Sequence, residues 1–179
     1  MHDKPLTYGS VGMGSLYHLI LEDAQARTGI KLAHVPYKGN APLLQDIGGG
    51  QVDFAVLVYS AAMGALAEQG RMKVIGQLGA QRSELLKSIP SASEGQALKN
   101  FSYKIWTGFM VPKNTPEDVV VRLHAAIGKT LQDPAVRAQL AQQTQLAAAP
   151  MSLAESAKFF ETETARYRTL AKQIDLQPQ

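Results

Sequence analysis

The chain has 179 residues, 45% hydrophobic and 18% charged, a composition that fits one folded domain or two small lobes and excludes general disorder. Eighteen Lys and Arg against fifteen Asp and Glu give a net charge of +3; without a dense basic run this disfavours nucleic-acid binding. The absence of cysteine excludes disulfides, thiolate metal sites and a cysteine nucleophile.

Leu6, Thr7 and Tyr8 read as a short strand running into a glycine-rich turn bracketed by Gly9, Gly12 and Gly14. Leu16 to Arg27 is expected to be helical, with Leu16, Leu19, Ile20 and Ala24 on one face and Gly29 ending it. Lys31 to Val35 is a second strand. Asn40 is placed to cap a helix through Ile47, with Pro42 in its first turn and Gly48, Gly49 and Gly50 stopping it. Val52 to Val58 is apolar but for Asp53 at its start, the pattern of a buried parallel strand. A small-residue helix follows from Ser60 to Gln69, closed by Gly70, and Met72 to Gln77 reads as the next strand. Repeated strand–helix–strand units predict a parallel sheet with right-handed crossovers, an α/β fold.

Beyond Gly79 the pattern changes. Residues to Asn100 are polar, with a short helical piece expected from Ser91 to Gly95. Phe101 to Val111 looks extended, and Pro112, Lys113 and Asn114 make a turn. Thr115 is expected to cap a helix that has Pro116 at its first position and runs to about Leu131. Asp133 and Pro134 repeat that device for a helix to about Gln143. Ser152 and Glu155 form a capping box before a helix to about Gln173. Two lobes joined near Trp106 are therefore expected, residues 1–105 as an α/β ligand-binding lobe and 106–179 as a crossover strand with C-terminal helices of a second lobe.

The glycine loop is no dinucleotide fingerprint, because the order Gly9, Gly12, Gly14 is not G-x-G-x-x-G and no acidic residue ends the second strand. No phosphate-loop motif occurs either. Backbone N–H groups at a helix start, with the Ser15 hydroxyl, favour a carboxylate or phosphate; the plainer reading is a tight turn. In a parallel sheet the loops after the first three strands open at one edge, where ligands of such sheets bind. Gly12, Met13, Gly14, Ser15, Tyr37, Lys38, Gly39, Asn40, Tyr59 and Ser60 are thus the candidate ligand-binding residues. Lys38 has no acidic or nucleophilic companion in sequence and also reads as a solvated surface lysine.

Catalytic constellations are scarce. His2, His18, His34 and His124 show no metal-ligand spacing, Ser15 lacks a nucleophile-elbow context, and no catalytic residue, metal or cofactor is assigned. His18 is expected to be a structural histidine inside its helix. Asp53, opening the third strand at the edge opposite the loops, is expected to be structural too. Trp106 either packs in a core or walls a cleft. No apolar run is long enough to span a membrane. Met1 to Pro5 lacks a basic region followed by an apolar core, so a cytoplasmic location is expected if the sequence is complete.

The stretches Y-G-S-x-G-x-G-S-x-x-H, H-V-P-Y-K-G-x-A-P and G-G-Q-V-D-F, followed by SIPSASEG, WTGFMVPKNTP and LQDPAVRAQL, resemble the tripartite tricarboxylate transporter substrate-binding proteins, the Bug family, in the family's order over nearly the whole chain. The resemblance implies a periplasmic binding protein type II-like fold of two α/β lobes and a non-enzymatic role. It implies capture of a small organic acid or related solute for membrane transporter subunits, in the periplasm. Carried over by position, Gly12, Gly14, Ser15, Tyr37, Lys38, Gly39 and Asn40 match one side of the family's cleft. Where many members have an Asp-Asn pair after the third strand, this chain has Leu57 and Val58, which implies fewer polar contacts there. Family members begin earlier, with a signal peptide and the first half of the other lobe, so the chain is expected to be truncated and to self-associate through its C-terminal helices. A ligand-sensing regulatory domain of the same fold and a small-molecule enzyme are the alternatives; the missing DNA-binding domain and acid/base pair count against them.

Overall fold

The computed structural model describes residues 5–142 and 145–174. These divide into two compact units, one of residues up to 105 together with those from 167 onward, the other of residues 106–166. The first unit thus includes residues 167–174, which the sequence pattern grouped with the C-terminal helices. His2 and the expected helix end at Gln143 lie outside the described residues.

The first unit is an α/β layer built on a parallel sheet of order β2-β1-β3. Its strands are β1 (Leu6–Ser10), β2 (Leu32–Pro36) and β3 (Phe54–Ala55), followed by α1 (Leu16–Thr28), α2 (Asn40–Gly48) and α3 (Ala61–Glu68) respectively. The central strand ends in three buried residues, Tyr8, Gly9 and Ser10. Gly9 is small for a reason: a Cβ there would fall 2.1 Å from Leu43 Cδ1 of α2, so the strand carries glycine where the helix packs closest. Asp53 closes the far end of the sheet. Its Oδ2 accepts from Thr7 N–H and Oγ1–H at 2.6 and 2.7 Å, while its own N–H donates to Thr7 O at 3.2 Å. That is the structural role expected of it.

The apolar stripe of α1 enters the core as its spacing predicts. Leu19 and Ile20 pack with Phe101, Tyr103 and Leu170, flanked by Leu16 and Ala24; each such large side chain, fully buried, contributes about 1.5–3 kcal/mol. A polar lock adds to this packing. Tyr103 Oη–H donates to Asp23 Oδ2 at 2.6 Å, and Arg27 Nε–H reaches both Asp23 oxygens at 3.0 Å. The Arg27 guanidinium also lies 5.5 Å from the Phe101 ring centre, a cation–π arrangement.

Three expected strands fall short. The run Val52 to Val58 forms a ladder only at Phe54 and Ala55, opposite Tyr8 and Gly9. Met72 to Gln77 contributes one isolated parallel bridge, Gln77 with Ser91. Phe101 to Val111 is extended in pattern but is assigned no ladder, although Tyr103 N–H donates to Leu78 O at 2.8 Å. Apolar composition fits a segment for a sheet, but a strand exists only where a neighbour supplies the hydrogen-bonding row. Among the described residues β3 has such a neighbour on one side only.

The helix ends follow local chemistry. Gly29 ends α1 in the left-handed region, φ 71°. Ser91 and Glu94 form a reciprocal capping box around the 3₁₀ turn Ala92–Glu94. Two expected caps shift by one residue. Gly39, not Asn40, caps α2, and Pro116, not Thr115, precedes α4 (Glu117–Gln132); neither makes a side-chain cap bond.

The second unit is helical: α4, α5 (Pro134–Gln142) and most of α6 (Leu153–Gln173). Asp133 Oδ1 accepts from Ala135 N–H at 2.8 Å, and Ser152 and Glu155 exchange the bonds of the expected capping box. Trp106 packs edge-on against Phe159 and Phe160, with Nε1–H donating to Glu163 Oε2 at 3.3 Å.

Candidate functional site

All three strands are parallel, so the segments following Ser10, Pro36 and Ala55 leave from the same edge of the sheet. Each leads to the N-terminus of a helix, where backbone N–H groups lack intrahelical acceptors.

The first loop turns sharply. Gly12 has φ 122° and Gly14 φ 73°, values that exact a cost from any residue with a Cβ. Ser15 caps α1: its Oγ accepts from His18 N–H at 3.3 Å. The hydroxyl proton is not used in that bond. Two of the loop amides expected to face a ligand are instead committed within the protein: Gly14 N–H donates to His18 Nδ1 at 3.1 Å and Ser15 N–H to Gly12 O at 3.3 Å. The donors that remain at this helix start are the Ser15 hydroxyl and the first-turn amides of Leu16 and Tyr17. Met13 is exposed.

The second loop is tied to the first, since Tyr37 N–H donates to Ser10 O at 2.8 Å. The Tyr37 hydroxyl donates to Asp46 Oδ2 at 2.9 Å; burial first, and that hydrogen bond second, push its pKa up. Lys38 and Asn40 are exposed. Gly39 takes φ 117° and ψ 178° and has no side chain to fill the cap. The start of α2 is therefore open to an external acceptor where α1 is partly closed by Ser15.

The third loop is engaged with its own helix. Ser60 Oγ accepts from Met63 N–H at 3.4 Å, capping α3. The Tyr59 hydroxyl sits 3.0 Å from the position a Cβ on Gly64 would take. Val58 is exposed and Leu57 partly buried, an apolar surround on that side.

Beneath the first loop lies a group the sequence pattern did not assemble. The rings of His18 and His34 stack at 4.1 Å and 9°, and Tyr8 stacks on His34 at 4.7 Å. Ser10 Oγ donates to Gly12 O at 3.0 Å and lies 2.7 Å from His34 Nε2. One hydroxyl carries one proton and a carbonyl can only accept, so the two Ser10 bonds are made together when His34 holds its proton on Nε2. Burial lowers the pKa of both histidines; for His34 the neighbouring His18 lowers it further, while Glu22 opposes the shift in each. The expected structural role of His18 is thus a specific one, an acceptor for the loop. A signal was present: His18 and His34 both stand inside the stretches quoted above, and in the stack His34 lies between Tyr8 and His18. Among the described residues no group of three or more His, Cys, Asp or Glu is arranged to hold a metal ion. None of their helices is long and apolar enough to cross a membrane.

The chain is similar to known proteins. Residues 2–176 match the family model described as the tripartite tricarboxylate transporter family receptor. A Pseudomonas sp. protein from the tcbD–tcbE intergenic region is 34% identical over 168 residues, 92% of this chain and 48% of that protein. The Bordetella pertussis protein BugT is 31% identical over 124 residues, 69% of this chain and 37% of its own. Among solved structures, an R. palustris protein with adipate superposes with a TM-score of 0.82 at 27% identity, covering 98% of this chain and 58% of that one. The periplasmic binding protein BugD gives 0.77 at 26%, covering 97% and 58%. The chain therefore spans about half the length of these relatives, and its fold is that of part of a periplasmic binding protein.

Proposed function

Because the chain belongs to the tripartite tricarboxylate transporter receptor family, we propose that its first unit carries the carboxylate-binding face of a solute receptor. The observation that carries the reading is the pair of glycine-hinged loops at one sheet edge, joined by Tyr37 N–H to Ser10 O at 2.8 Å, each opening onto a helix N-terminus. A carboxylate there accepts from the Ser15 hydroxyl and from first-turn amides of α1 and α2, with both helix dipoles favouring its charge. Gly12, Met13, Gly14 and Ser15 form one wall and Tyr37, Lys38, Gly39 and Asn40 the other, with Tyr59 and Ser60 at the margin. The exposed Lys38 ammonium adds long-range attraction rather than a fixed contact. Receptors of this family hand their solute to membrane transporter subunits, and the same partnering and a periplasmic location are proposed for this protein. Residues 1–105 form the ligand-binding lobe in this reading and 106–166 belong to the other, while the end of α6 from residue 167 goes with the first unit.

The adipate-bound relative suggests the probe. Amide resonances of the chain are followed while adipate, and separately the uncharged 1,6-hexanediol, are added. Saturable shifts confined to residues 12–17 and 37–41 are expected with adipate and not with the diol. Equal responses to both, or shifts scattered elsewhere, refute a carboxylate site at these loops.

A further inference from the structure

The two stacked imidazoles grip the glycine loop from either side of its turn. His34 donates from Nε2 to Ser10 Oγ, whose own O–H donates to Gly12 O. His18 accepts at Nδ1 from Gly14 N–H at 3.1 Å. The loop is thus held by one ring acting as donor and the other as acceptor, across a face-to-face separation of 4.1 Å. An acceptor nitrogen is a lone pair, so the His18 bond exists only on a neutral ring with its proton on Nε2.

The surroundings decide what acid does here. The titratable groups facing the pair are Tyr8 from β1, stacked on His34 at 4.7 Å and 6.4 Å from His18, and Glu22 from α1. Glu22 Oε1 lies 3.6 Å from His18 Nε2 and also accepts from Tyr8 Oη–H and Gln25 Nε2–H at 2.6 and 2.7 Å. Glu22 favours an imidazolium, whereas burial and the second imidazole oppose one. When a proton does arrive at His18 it has one place to go, Nδ1, and there it meets the Gly14 N–H head-on. The bond cannot survive. His34 keeps its Nε2–H in either state, so the grip on Gly12 persists while the grip on Gly14 is lost.

We propose that His18 and His34 are positioning residues for the Gly12–Ser15 loop, and that the loop keeps its carboxylate-binding form only while His18 is neutral. This rests on the reading of the loop as a carboxylate site, but its first consequence needs no ligand. An imidazolium that merely added charge near the site would strengthen anion binding in acid. Loss of the loop geometry weakens it. The sign of the pH effect separates the two.

The experiment follows the ¹⁵N-labelled 179-residue chain from about pH 7.5 to about pH 4.5, a range that takes in the ordinary histidine value and the pH below it, toward which burial moves His18. Ring nitrogen shifts report the His18 state, and hydrogen exchange reports the Gly14 amide. Without ligand, Gly14 protection is expected to fall about five- to tenfold with the midpoint of the His18 ring, the equivalent of one hydrogen bond. His18→Asn replaces Nδ1 by an amide oxygen that accepts but does not titrate; in this variant the Gly14 step is expected to vanish. His18→Leu, which has no acceptor, is expected to leave Gly14 unprotected at every pH. Adipate affinity of the unaltered chain is then expected to fall over the same range about five- to tenfold more than that of His18→Asn, whose fall reports only protonation of the ligand's own carboxylates. A Gly14 amide indifferent to the His18 titration in the unaltered chain overturns the proposal, as does an adipate affinity that rises in acid. If adipate binds at no pH, the carboxylate reading fails, and the Gly14 amide still decides whether His18 positions the loop.

Discussion

Ser15 stands at the meeting point of stability and binding, and two substitutions pull those roles apart. Its Oγ accepts from His18 N–H, so Ser15→Ala removes an N-cap worth about 1 kcal/mol, or about 2–4 °C in melting temperature for a chain of this size. The same change removes a hydroxyl donor from the proposed anion site. A hydrogen bond to a charged group contributes about 1.5–3 kcal/mol, so adipate affinity is expected to fall about tenfold to a hundredfold. Ser15→Asp behaves differently. Aspartate is a favoured N-cap and its charge suits a helix N-terminus, so stability is expected to hold. Its carboxylate would face the bound one at about 4 Å, and at an effective dielectric of about 20 that repulsion is about 4 kcal/mol, close to a thousandfold in affinity. Urea denaturation and calorimetric titration with adipate at neutral pH measure both quantities on the same samples. An Asp variant that is stable and binds adipate within about threefold of the unaltered chain refutes the placement of a carboxylate at this loop.

Tyr103→Phe deletes the donor to Asp23 Oδ2 in the buried lock and is expected to cost about 1.5–3 kcal/mol of stability in urea melts, without changing adipate affinity. Both His18 and His34 have folded pKa values pushed below their ordinary one. The unfolded chain therefore binds more protons in that range, and stability is expected to be full above about pH 6.5 and to decline as pH falls below it. Melting temperatures across that range that stay level, once the carboxylates are accounted for with a His18→Asn/His34→Asn double variant, contradict this. Phe109, Met110, Val119, Val121, Leu123, Phe159 and Phe160 of the second unit are exposed in the chain by itself, and a set of large apolar side chains of this kind favours association. Sedimentation velocity at micromolar concentration is expected to show concentration-dependent self-association; a single monomeric species across that range refutes it.

What the sequence determined by itself is the chemistry that acts over a few residues. The Ser152–Glu155 and Ser91–Glu94 boxes, the Asp133 cap and the left-handed Gly29 are all decided within one helical turn, and so they could be read directly from spacing. The α1 stripe was legible for the same reason, since the periodicity of Leu16, Leu19, Ile20 and Ala24 is itself the geometry of the buried face. The candidate loops were legible as well, because parallel strand–helix units fix which ends of the strands lie together. Tertiary structure decided the rest. Whether Val52 to Val58 became a long strand depended on a hydrogen-bonding neighbour, and a ladder formed only at Phe54 and Ala55. Asp53 meets Thr7 across 46 positions and Tyr103 meets Asp23 across 80, partnerships that no local pattern encodes. The same holds for the site. His18 and His34 become a stacked pair only because β1 and β2 align in register, Tyr8 opposite His34, and α1 folds back over them. A neutral imidazole holding a glycine loop is therefore a product of register and packing, which the order of residues permits but does not display.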